Sequence, residues 1–276
     1  MTVPFGRRLA SAVAERGPLC AGIDPHPGLL SAWGLTADAA GLERFALSAT
    51  EVLAQHVAVL KPQSAFFEAY GSAGIAVLER VLVLARQAGA LVLLDVKRGD
   101  IGSTMAAYTS AYLTDAAPLA ADAITVSPYL GFGALEPALA AAQASGRGLF
   151  VLARTSNPEG GQVQGVLTSG RSVAQAMVDE AAARNEGAEP LGSVGVVVGA
   201  TIRPGELDLS ALNGPVLAPG FGAQGATAED LARVFGPDTA CVLPASSRDL
   251  LKHGPGPAGL REAVLRAKET VAALTH

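Results

Sequence analysis

The sequence predicts an α/β fold in which eight parallel strands close into a single (β/α)8, or TIM, barrel. Short apolar runs alternate with longer segments of helical periodicity along the whole chain, which is the pattern of a parallel sheet covered by helices. The apolar runs number eight, the count that closes a barrel. Because no linker, charge block or low-complexity segment interrupts the alternation, we expect residues 1–276 to form one barrel domain.

The predicted strands are short apolar runs of the kind that a parallel sheet buries on both faces. They lie at residues 19–23, 57–60, 91–94, 123–126, 149–153, 194–198, 216–218 and 241–243. Cys20 and Cys241 fall within two of these runs, so we expect both thiols to be buried and reduced rather than joined in a disulfide.

The predicted helices carry apolar residues three and four positions apart and stop at helix-ending residues, as the first does at Gly17-Pro18. Ser103 or Thr104 is the expected N-cap of the helix after the third strand. The predicted helices cover residues 5–16, 39–56, 71–88, 103 or 104 to about 113, 135–144, 172 to about 184, 204–209, 229–235 and 259 to about 274.

Composition and charge exclude several classes of protein. Half of the residues are hydrophobic and the mean hydropathy is +0.35, so a large core is available. No apolar run approaches the ~18 uninterrupted residues of a membrane helix, and Arg7, Arg8, Glu15 and Arg16 leave no signal-peptide core. The net charge is -5 and no basic run suggests nucleic acid. We therefore expect a cytoplasmic protein that binds neither membrane nor nucleic acid.

The histidines and cysteines give no sign of a metal site. The chain has four histidines and two cysteines, and their spacing matches no zinc-ligand pattern. The sequence therefore predicts no metal ligands.

Charged residues cluster where the third predicted strand ends. Side chains alternate along a strand, so Leu91, Leu93, Asp95 and Lys97 share one face, which begins apolar and ends with a carboxylate beside an ammonium. Asp100 follows just past the strand. One interpretation is a solvated strand end with an incidental ion pair. The other is a functional charge array, because α/β folds place their sites at the carboxyl ends of strands.

Polar residues follow most of the other predicted strands as well. In a closed barrel all eight carboxyl ends open on one face, so these residues converge there. Taken singly, several of them also suit ordinary turns or surface loops. Lys61 is the exception, because a lysine that continues a buried strand is rarely left unpaired. The polar residues at the strand ends are Asp24, Lys61, Asp95, Lys97, Asp100, Ser127, Arg154, Ser156, Gln224 and Arg248.

These strand ends resemble the orotidine 5'-phosphate decarboxylase family. Residues 95–101 read D-x-K-x-x-D-I, which is similar to the family's motif, with Lys61 on the second strand and Arg248 after the eighth. The similarity extends over nearly the whole chain. Residues 61–68 (KPQSAFFE) and 218–225 (APGFGAQG) resemble the longer bacterial subgroup, type 2, most closely.

The resemblance implies decarboxylation of orotidine 5'-monophosphate to uridine 5'-monophosphate and CO2, the last step of de novo pyrimidine nucleotide synthesis. It implies a catalytic array of Lys61, Asp95, Lys97 and Asp100 that needs no metal or organic cofactor. It also implies a homodimer in which Asp100 and Thr104 enter the site of the partner subunit.

The implied chemistry suits these residue types. Loss of CO2 leaves a carbanion on a pyrimidine carbon without an adjacent electron sink, and the Lys97 ammonium can stabilise that charge and then donate a proton. Asp95 and Asp100 favour the charged form of the lysines and hold them in place. One of the two carboxylates can also repel the substrate carboxylate, a repulsion that departure of CO2 relieves.

By the same resemblance, the remaining strand ends bind the nucleotide. Arg248, whose guanidinium geometry suits phosphate, would hold the phosphate group together with the backbone of 220–222 and the side chain of Gln224. Ser156 would contact the edge of the pyrimidine, and Asp24 the ribose hydroxyls. The glycine-rich segment 157–170 is long enough to close over the substrate, although shorter family members use the loop after the seventh strand.

Two other functions remain open on the sequence alone. Sugar-phosphate relatives, 3-keto-gulonate phosphate decarboxylases and hexulose phosphate synthases, share the D-x-K-x-x-D motif but use magnesium, with a further acidic ligand after the second strand. That position is Lys61 here, which argues against them. The third possibility is a non-catalytic barrel that binds a nucleotide or a protein, which would have no need for four clustered charges.

Overall fold

Eight parallel strands close into a barrel in the computed structural model, which describes residues 2–222, 227–236 and 241–272. Each strand pairs with its neighbours in chain order, and the last pairs with the first. The predicted fold class is therefore confirmed. The barrel strands are β1 (Cys20–Ile23), β2 (Val59–Pro62), β3 (Leu91–Arg98), β4 (Ala123–Val126), β5 (Gly148–Arg154), β6 (Val194–Val198), β7 (Pro215–Pro219) and β8 (Cys241–Ser246).

Helices surround the barrel and also form short caps at the strand ends. Two 3-10 turns, Phe132–Leu135 and Pro158–Gly160, and an antiparallel hairpin of Leu167–Thr168 with Arg171–Ser172 lie between them. The helices are α1 (Phe5–Arg16), α2 (Pro27–Ala32), α3 (Ala39–Leu53), α4 (Ser64–Glu68), α5 (Gly71–Gln87), α6 (Gly102–Tyr112), α7 (Glu136–Ser145), α8 (Gly161–Gln164), α9 (Val173–Arg184), α10 (Ala228–Phe235), α11 (Arg248–Leu251) and α12 (Pro257–Ala272).

The barrel interior is a packed core rather than a channel. Phe5 and Leu9 of α1 belong to the same buried cluster, with the Phe5 ring edge-on to Phe150 at a centroid distance of 6.1 Å. Helix α1 thus plugs the end opposite the functional face. Each strand contributes one fully or nearly fully buried side chain to this core: Cys20, Val59, Leu93, Ala123, Phe150, Val197, Leu217 and Leu243.

A second, larger core lies between the strands and the helices. It takes the alternate strand residues, for example Val92 and Leu94 of β3, together with helix residues such as Phe45 of α3 and Leu82 of α5. Apolar side chains on both faces of each strand explain why the sequence shows continuous apolar runs instead of alternation.

All eight predicted strands are present, and the largest changes in their bounds occur at the functional end. β2 begins and ends two residues later than predicted, so Lys61 lies within it. β3 and β8 continue to Arg98 and Ser246, beyond their predicted ends at 94 and 243. Their charged and small polar residues suggested a loop, but they still pair with the neighbouring strands. The predicted barrel order needed no revision.

Two helical predictions were wrong. Residues 204–209 form turns instead of a helix, because Glu206 turns back to accept from the backbone N–H of Arg203 and to pair with Arg154. Helix α6 begins at Gly102, with Ile101 at the cap position, so Ser103 and Thr104 lie in the first turn and neither is the N-cap. The last helix is described to Ala272, and the predicted end at Leu274 lies outside the described residues.

The two cysteines are unpaired thiols, as predicted. Cys20 is fully buried, whereas Cys241, at the start of β8, is half-buried. Burial raises the pKa of each thiol to about 12, so both are protonated near neutral pH. Within the described ranges, every helix is too short or too polar to cross a bilayer.

Candidate active site

Two lysines and one aspartate meet at the carboxyl ends of β2 and β3. The Nζ atom of Lys61 lies 3.3 Å from Oδ2 of Asp95, and the Nζ atom of Lys97 lies 2.6 Å from Oδ1 of the same carboxylate. Below them, Leu93 is part of the barrel core and Leu91 packs against it. The predicted shared face of β3, apolar first and charged at its end, is therefore confirmed.

Burial and opposite charge together fix the protonation states of this cluster. Desolvation lowers the pKa of Lys61, but the Asp24 and Asp95 carboxylates outweigh it and raise that pKa above its ordinary value. Desolvation raises the pKa of Asp95, and Lys61 and Lys97 outweigh that effect and lower it to about 2. Near neutral pH, Asp95 is therefore a carboxylate and Lys61 an ammonium.

Thr125 of β4 completes the surroundings of Asp95. Its hydroxyl donates to Asp95 Oδ1 over 2.8 Å and accepts from the backbone N–H of Lys97 over 2.9 Å. The carboxylate therefore accepts three hydrogen bonds, two from ammonium groups and one from a hydroxyl. Thr125 carries no signal of this role in the sequence, because a threonine inside a short apolar run is typical of an ordinary strand.

Two cavities open at this end of the barrel and share three wall residues, Lys61, Asp95 and Pro219. The first has a volume of about 310 Å³ and lies over β1, β2, β7 and β8. The second has a volume of about 240 Å³ and lies over β3 to β7. The lysine–aspartate cluster stands at the junction, where a molecule that occupied both cavities would place its middle.

The first cavity is polar and contains groups that lack partners. Asp24 Oδ1 and Ser247 Oγ are buried and have no hydrogen-bond partner among the described residues. Arg248 is exposed at the start of α11 and forms no ion pair with any residue that the structure describes. His26 and Phe66, whose rings contact each other in a tilted arrangement at a centroid distance of 4.3 Å, line the same cavity and were not predicted as site residues.

The second cavity has an apolar floor and a polar rim. Leu152, Val197 and Leu217 form the floor, and Ser156 belongs to the rim. Gly199 lies directly against Ser156: a Cβ atom on Gly199 would come within 2.8 Å of the Ser156 backbone nitrogen. Only a glycine leaves room for Ser156 at this place.

The segment after β5 is fastened to the strand end beside Ser156. Gln164 of α8 accepts through Oε1 from the backbone N–H of Thr155 over 3.0 Å. Arg154, the last residue of β5, donates through Nε to Glu206 over 2.6 Å. The side chains of Arg154 and Glu206 are both mostly buried. Closure of the 157–170 segment over a ligand stays a prediction.

Asp100 and Thr104 lie outside both cavities. Asp100 follows β3 and accepts, through Oδ1, from the backbone N–H of Ile101 over 2.8 Å. It makes no ion pair with any residue that the structure describes. Thr104 is exposed in the first turn of α6. Gln224, the remaining predicted binding residue, lies outside the described residues.

The structure thus brings together six of the predicted site residues: Asp24, Lys61, Asp95, Lys97, Ser156 and Arg248. In the described part of the chain, no three histidine, cysteine, aspartate or glutamate side chains form a group that could hold a metal ion. The arrangement can hold an anionic molecule at Arg248 and present two ammonium groups to its middle.

Comparisons with known proteins point to one family. A family model described as "Orotidine 5'-phosphate decarboxylase / HUMPS family" matches residues 17–258. The orotidine 5'-phosphate decarboxylase of Salinispora arenicola is 63% identical over 263 residues, with 95% of each chain covered. That of Streptomyces coelicolor is 60% identical over 267 residues, again with 95% of each chain covered.

Solved structures agree as well. A crystal structure from Streptomyces avermitilis assigned to the same enzyme has a TM-score of 0.96 and 57% identity, covering 100% of this chain and 97% of that one. The OMP decarboxylase of Leishmania donovani has a TM-score of 0.77 and 30% identity, with 99% of each chain covered. This chain therefore belongs to the orotidine 5'-phosphate decarboxylase family.

Proposed function

We propose that Lys61, Asp95, Lys97 and Asp100 form the charge array with which this chain decarboxylates orotidine 5'-monophosphate to uridine 5'-monophosphate and CO2. The reaction is that of the named relatives, and it is the last step of de novo pyrimidine synthesis. One observation carries the assignment of residues: two lysine ammonium groups approach opposite oxygens of one buried carboxylate at the junction of two cavities.

The array acts on the bond between the pyrimidine ring and its carboxylate. That bond breaks, CO2 leaves, and the electron pair remains on the ring carbon. Lys97, whose side chain is 44% exposed whereas that of Asp95 is 9% exposed, faces the open cavity and donates a proton to this carbon. Its ammonium is already in place before charge develops, which is the arrangement that lowers a barrier most.

The two cavities divide the nucleotide between them. The phosphate and ribose occupy the first cavity, where Arg248 pairs with the phosphate and the buried Asp24 carboxylate accepts from ribose hydroxyls. The loops after the seventh and eighth strands are the usual phosphate position in barrels of this type. The pyrimidine occupies the second cavity, where Ser156 contacts its polar edge. Gln224 is proposed as a further phosphate ligand.

The functional unit is a homodimer in this proposal, with Asp100 and Thr104 reaching the partner's site. Asp100 makes no ion pair with any described residue, and the exposed apolar residue Ile101 follows it directly. Ile101 is 62% exposed on the loop after β3, and Tyr129 is 78% exposed on the loop after β4. The two loops join at their base, where the backbone N–H of Ser127 donates to the carbonyl of Arg98. Large exposed apolar side chains are typical of an interface.

We also propose that residues 1–276 form one catalytic domain in the cytoplasm. The barrel strands share one interior core, and one further core joins them to the surrounding helices, which supports a single domain. The two free thiols, Cys20 and Cys241, suit a reducing compartment and support this location.

The magnesium-dependent sugar-phosphate branch is the second candidate, because the family model includes it. Lys61 at the end of β2, in place of an acidic metal ligand, favours the decarboxylase, as do the names of relatives at 60–63% identity.

The decisive experiment follows the ultraviolet absorbance of orotidine 5'-monophosphate on addition of chelator-treated protein. We expect rapid loss of absorbance with the native chain and none with Lys97→Ala. Lys268→Ala, a lysine on α12 near Gly17 at the opposite end of the barrel, is the matched control and should retain activity. No turnover by the native chain, or turnover only after magnesium is restored, would contradict the proposal.

A further inference from the structure

The pairing of β3 with β4 contains a bulge at the charged cluster. Leu94 pairs with Ile124 and Arg98 pairs with Val126, so three residues of β3, 95–97, oppose the single residue Thr125. A bulge leaves extra residues without partners in the strand ladder and redirects their side chains. Here the bulged residues include both Asp95 and Lys97.

At the bulge, the Thr125 side chain provides a hydrogen-bond partner for the backbone N–H of Lys97. Its hydroxyl oxygen accepts from the backbone N–H of Lys97 at 2.9 Å, in place of a carbonyl of β4. The hydroxyl hydrogen is thereby left to donate to Asp95 Oδ1 at 2.8 Å. Thr125 is 1% exposed, so its side chain is shielded from bulk solvent.

The backbone of Lys97 is strained and needs such support. Its φ angle is +46°, in the left-handed region that residues other than glycine rarely adopt. Such a conformation is unfavourable for a lysine and persists only where neighbouring contacts hold it. The contacts form a closed ring: Thr125 holds the Lys97 backbone and Asp95, and Asp95 holds the Lys97 ammonium at 2.6 Å.

We infer that Thr125 is a positioning residue, whose single hydroxyl orients the Lys97 backbone and the Asp95 carboxylate together and so places the Lys97 ammonium against the substrate. The inference rests on the proposed role of Lys97 in decarboxylation. Thr125 acts through these two residues, so its loss should slow the chemical step more than it weakens nucleotide binding.

The test compares Thr125→Val, which keeps the shape and removes the hydroxyl, with Thr125→Ser, which keeps the hydroxyl. We expect Thr125→Val to lower kcat about 10- to 100-fold, the effect of one hydrogen bond to a charged group. The KM for orotidine 5'-monophosphate and the Kd for uridine 5'-monophosphate should change less than about threefold, as expected when only the transition state is affected. Thr125→Ser should recover most of the lost kcat.

Thr50→Val is the matched control. Thr50 is another fully buried threonine, in α3, whose hydroxyl donates to the Ala46 carbonyl over 2.7 Å. It should lose some thermal stability and keep its kcat. Thr125→Ala, which removes the hydroxyl without a branched replacement, repeats the test if Thr125→Val does not fold, and the same fall in kcat is expected.

Several results would overturn the inference. They are an unchanged kcat in Thr125→Val or Thr125→Ala, an equal loss in Thr125→Ser, an equal loss in Thr50→Val, or a rise in KM without a fall in kcat. A native chain that does not decarboxylate the nucleotide would instead contradict the proposed function, so the two failures are distinguishable.

Discussion

The Lys61 ammonium lies 3.3 Å from the Asp95 carboxylate, and both side chains are 9% exposed. Removing two such charges from water costs several kcal/mol per ion, so an apolar pair would often be at least as stable. The pair is therefore poorly explained by stability alone. Its value lies in holding fixed charge at the junction of the two cavities, where the proposed chemistry needs it.

The first prediction concerns the stability of Asp95→Asn. Removal of this carboxylate takes away the only ion-pair partner that Lys61 has among the described residues and leaves Asp24 as a further acidic neighbour. We therefore expect a loss of up to about 3–5 kcal/mol in the free energy of unfolding at pH 7. Denaturant unfolding followed by circular dichroism measures it. In the control, Asp115→Asn, the cost should stay below about 1 kcal/mol, because Asp115 pairs with Arg147 while 88% exposed. Equal losses in the two variants would contradict the prediction.

The same carboxylate should make the fold sensitive to acid. The pKa of Asp95 is about 2 in the folded chain against an ordinary value of 3.8, so the unfolded chain binds this proton more readily. Its stabilisation, roughly 2 kcal/mol, is fully present above about pH 4 and is lost as the pH falls through about 2. Unfolding free energies measured across that interval should fall more steeply for the native chain than for Asp95→Asn, and parallel curves would refute the assignment.

Arg248→Ala should weaken binding of the nucleotide phosphate. The guanidinium is exposed at the first cavity and has no charged partner in the described chain. We expect a rise in KM of about 10- to 100-fold, the range for a hydrogen-bonded charge on phosphate. Arg7→Ala, an exposed arginine on α1 at the other end of the barrel, should leave KM unchanged.

A truncated substrate makes this prediction more specific. Orotidine, which lacks the phosphate, should be converted slowly by the native chain and equally slowly by Arg248→Ala, because the lost contact involves only the phosphate. A variant that also loses activity on orotidine would show that Arg248 acts on the pyrimidine or on the fold.

Gly199→Ala should disturb the pyrimidine side of the site. A methyl group there would lie 2.8–2.9 Å from three atoms of Ser156, so Ser156 has to shift. We expect kcat/KM to fall about tenfold or more, since a displacement of about 1 Å is costly in a preorganised site. Gly256→Ala is the control, because its new methyl group meets no atom within 4 Å. Unaltered kinetics in Gly199→Ala would mean that Ser156 does not contact the substrate.

The sequence was sufficient for the barrel and for the charged centre. The strand period placed Asp95 on one face with Leu91, Leu93 and Lys97, and the apolar run before Lys61 placed that lysine at a strand end. Arg248 could be placed at this face because the eighth run was identified. The family resemblance then supplied the roles, which composition and spacing do not contain.

Other features depend on pairing between distant strands and could not be read from the sequence. The bulge that brings Thr125 beneath Lys97 arises from the register of β3 against β4, which no local pattern encodes. The contact of His26 with Phe66 joins the ends of two separate strands. Turn geometry at 204–209 was mistaken for a helix because its pairing with Arg154 is a long-range contact.

The last prediction concerns the shared site. Lys97→Ala and Asp100→Asn should each be nearly inactive as homodimers. When the two are mixed and allowed to exchange subunits, half of the dimers are hybrids, and each hybrid has one site with native Lys97 and the partner's native Asp100. The mixture should therefore recover about a quarter of the native activity, as two-fold symmetry requires.

Asp95→Asn mixed with Lys97→Ala is the matched control for this exchange. Both residues serve the site of their own chain, where their side chains lie 2.6 Å apart, so no hybrid site is intact. Recovery in the control, or none in the first mixture after exchange is verified, would place Asp100 in its own subunit's site.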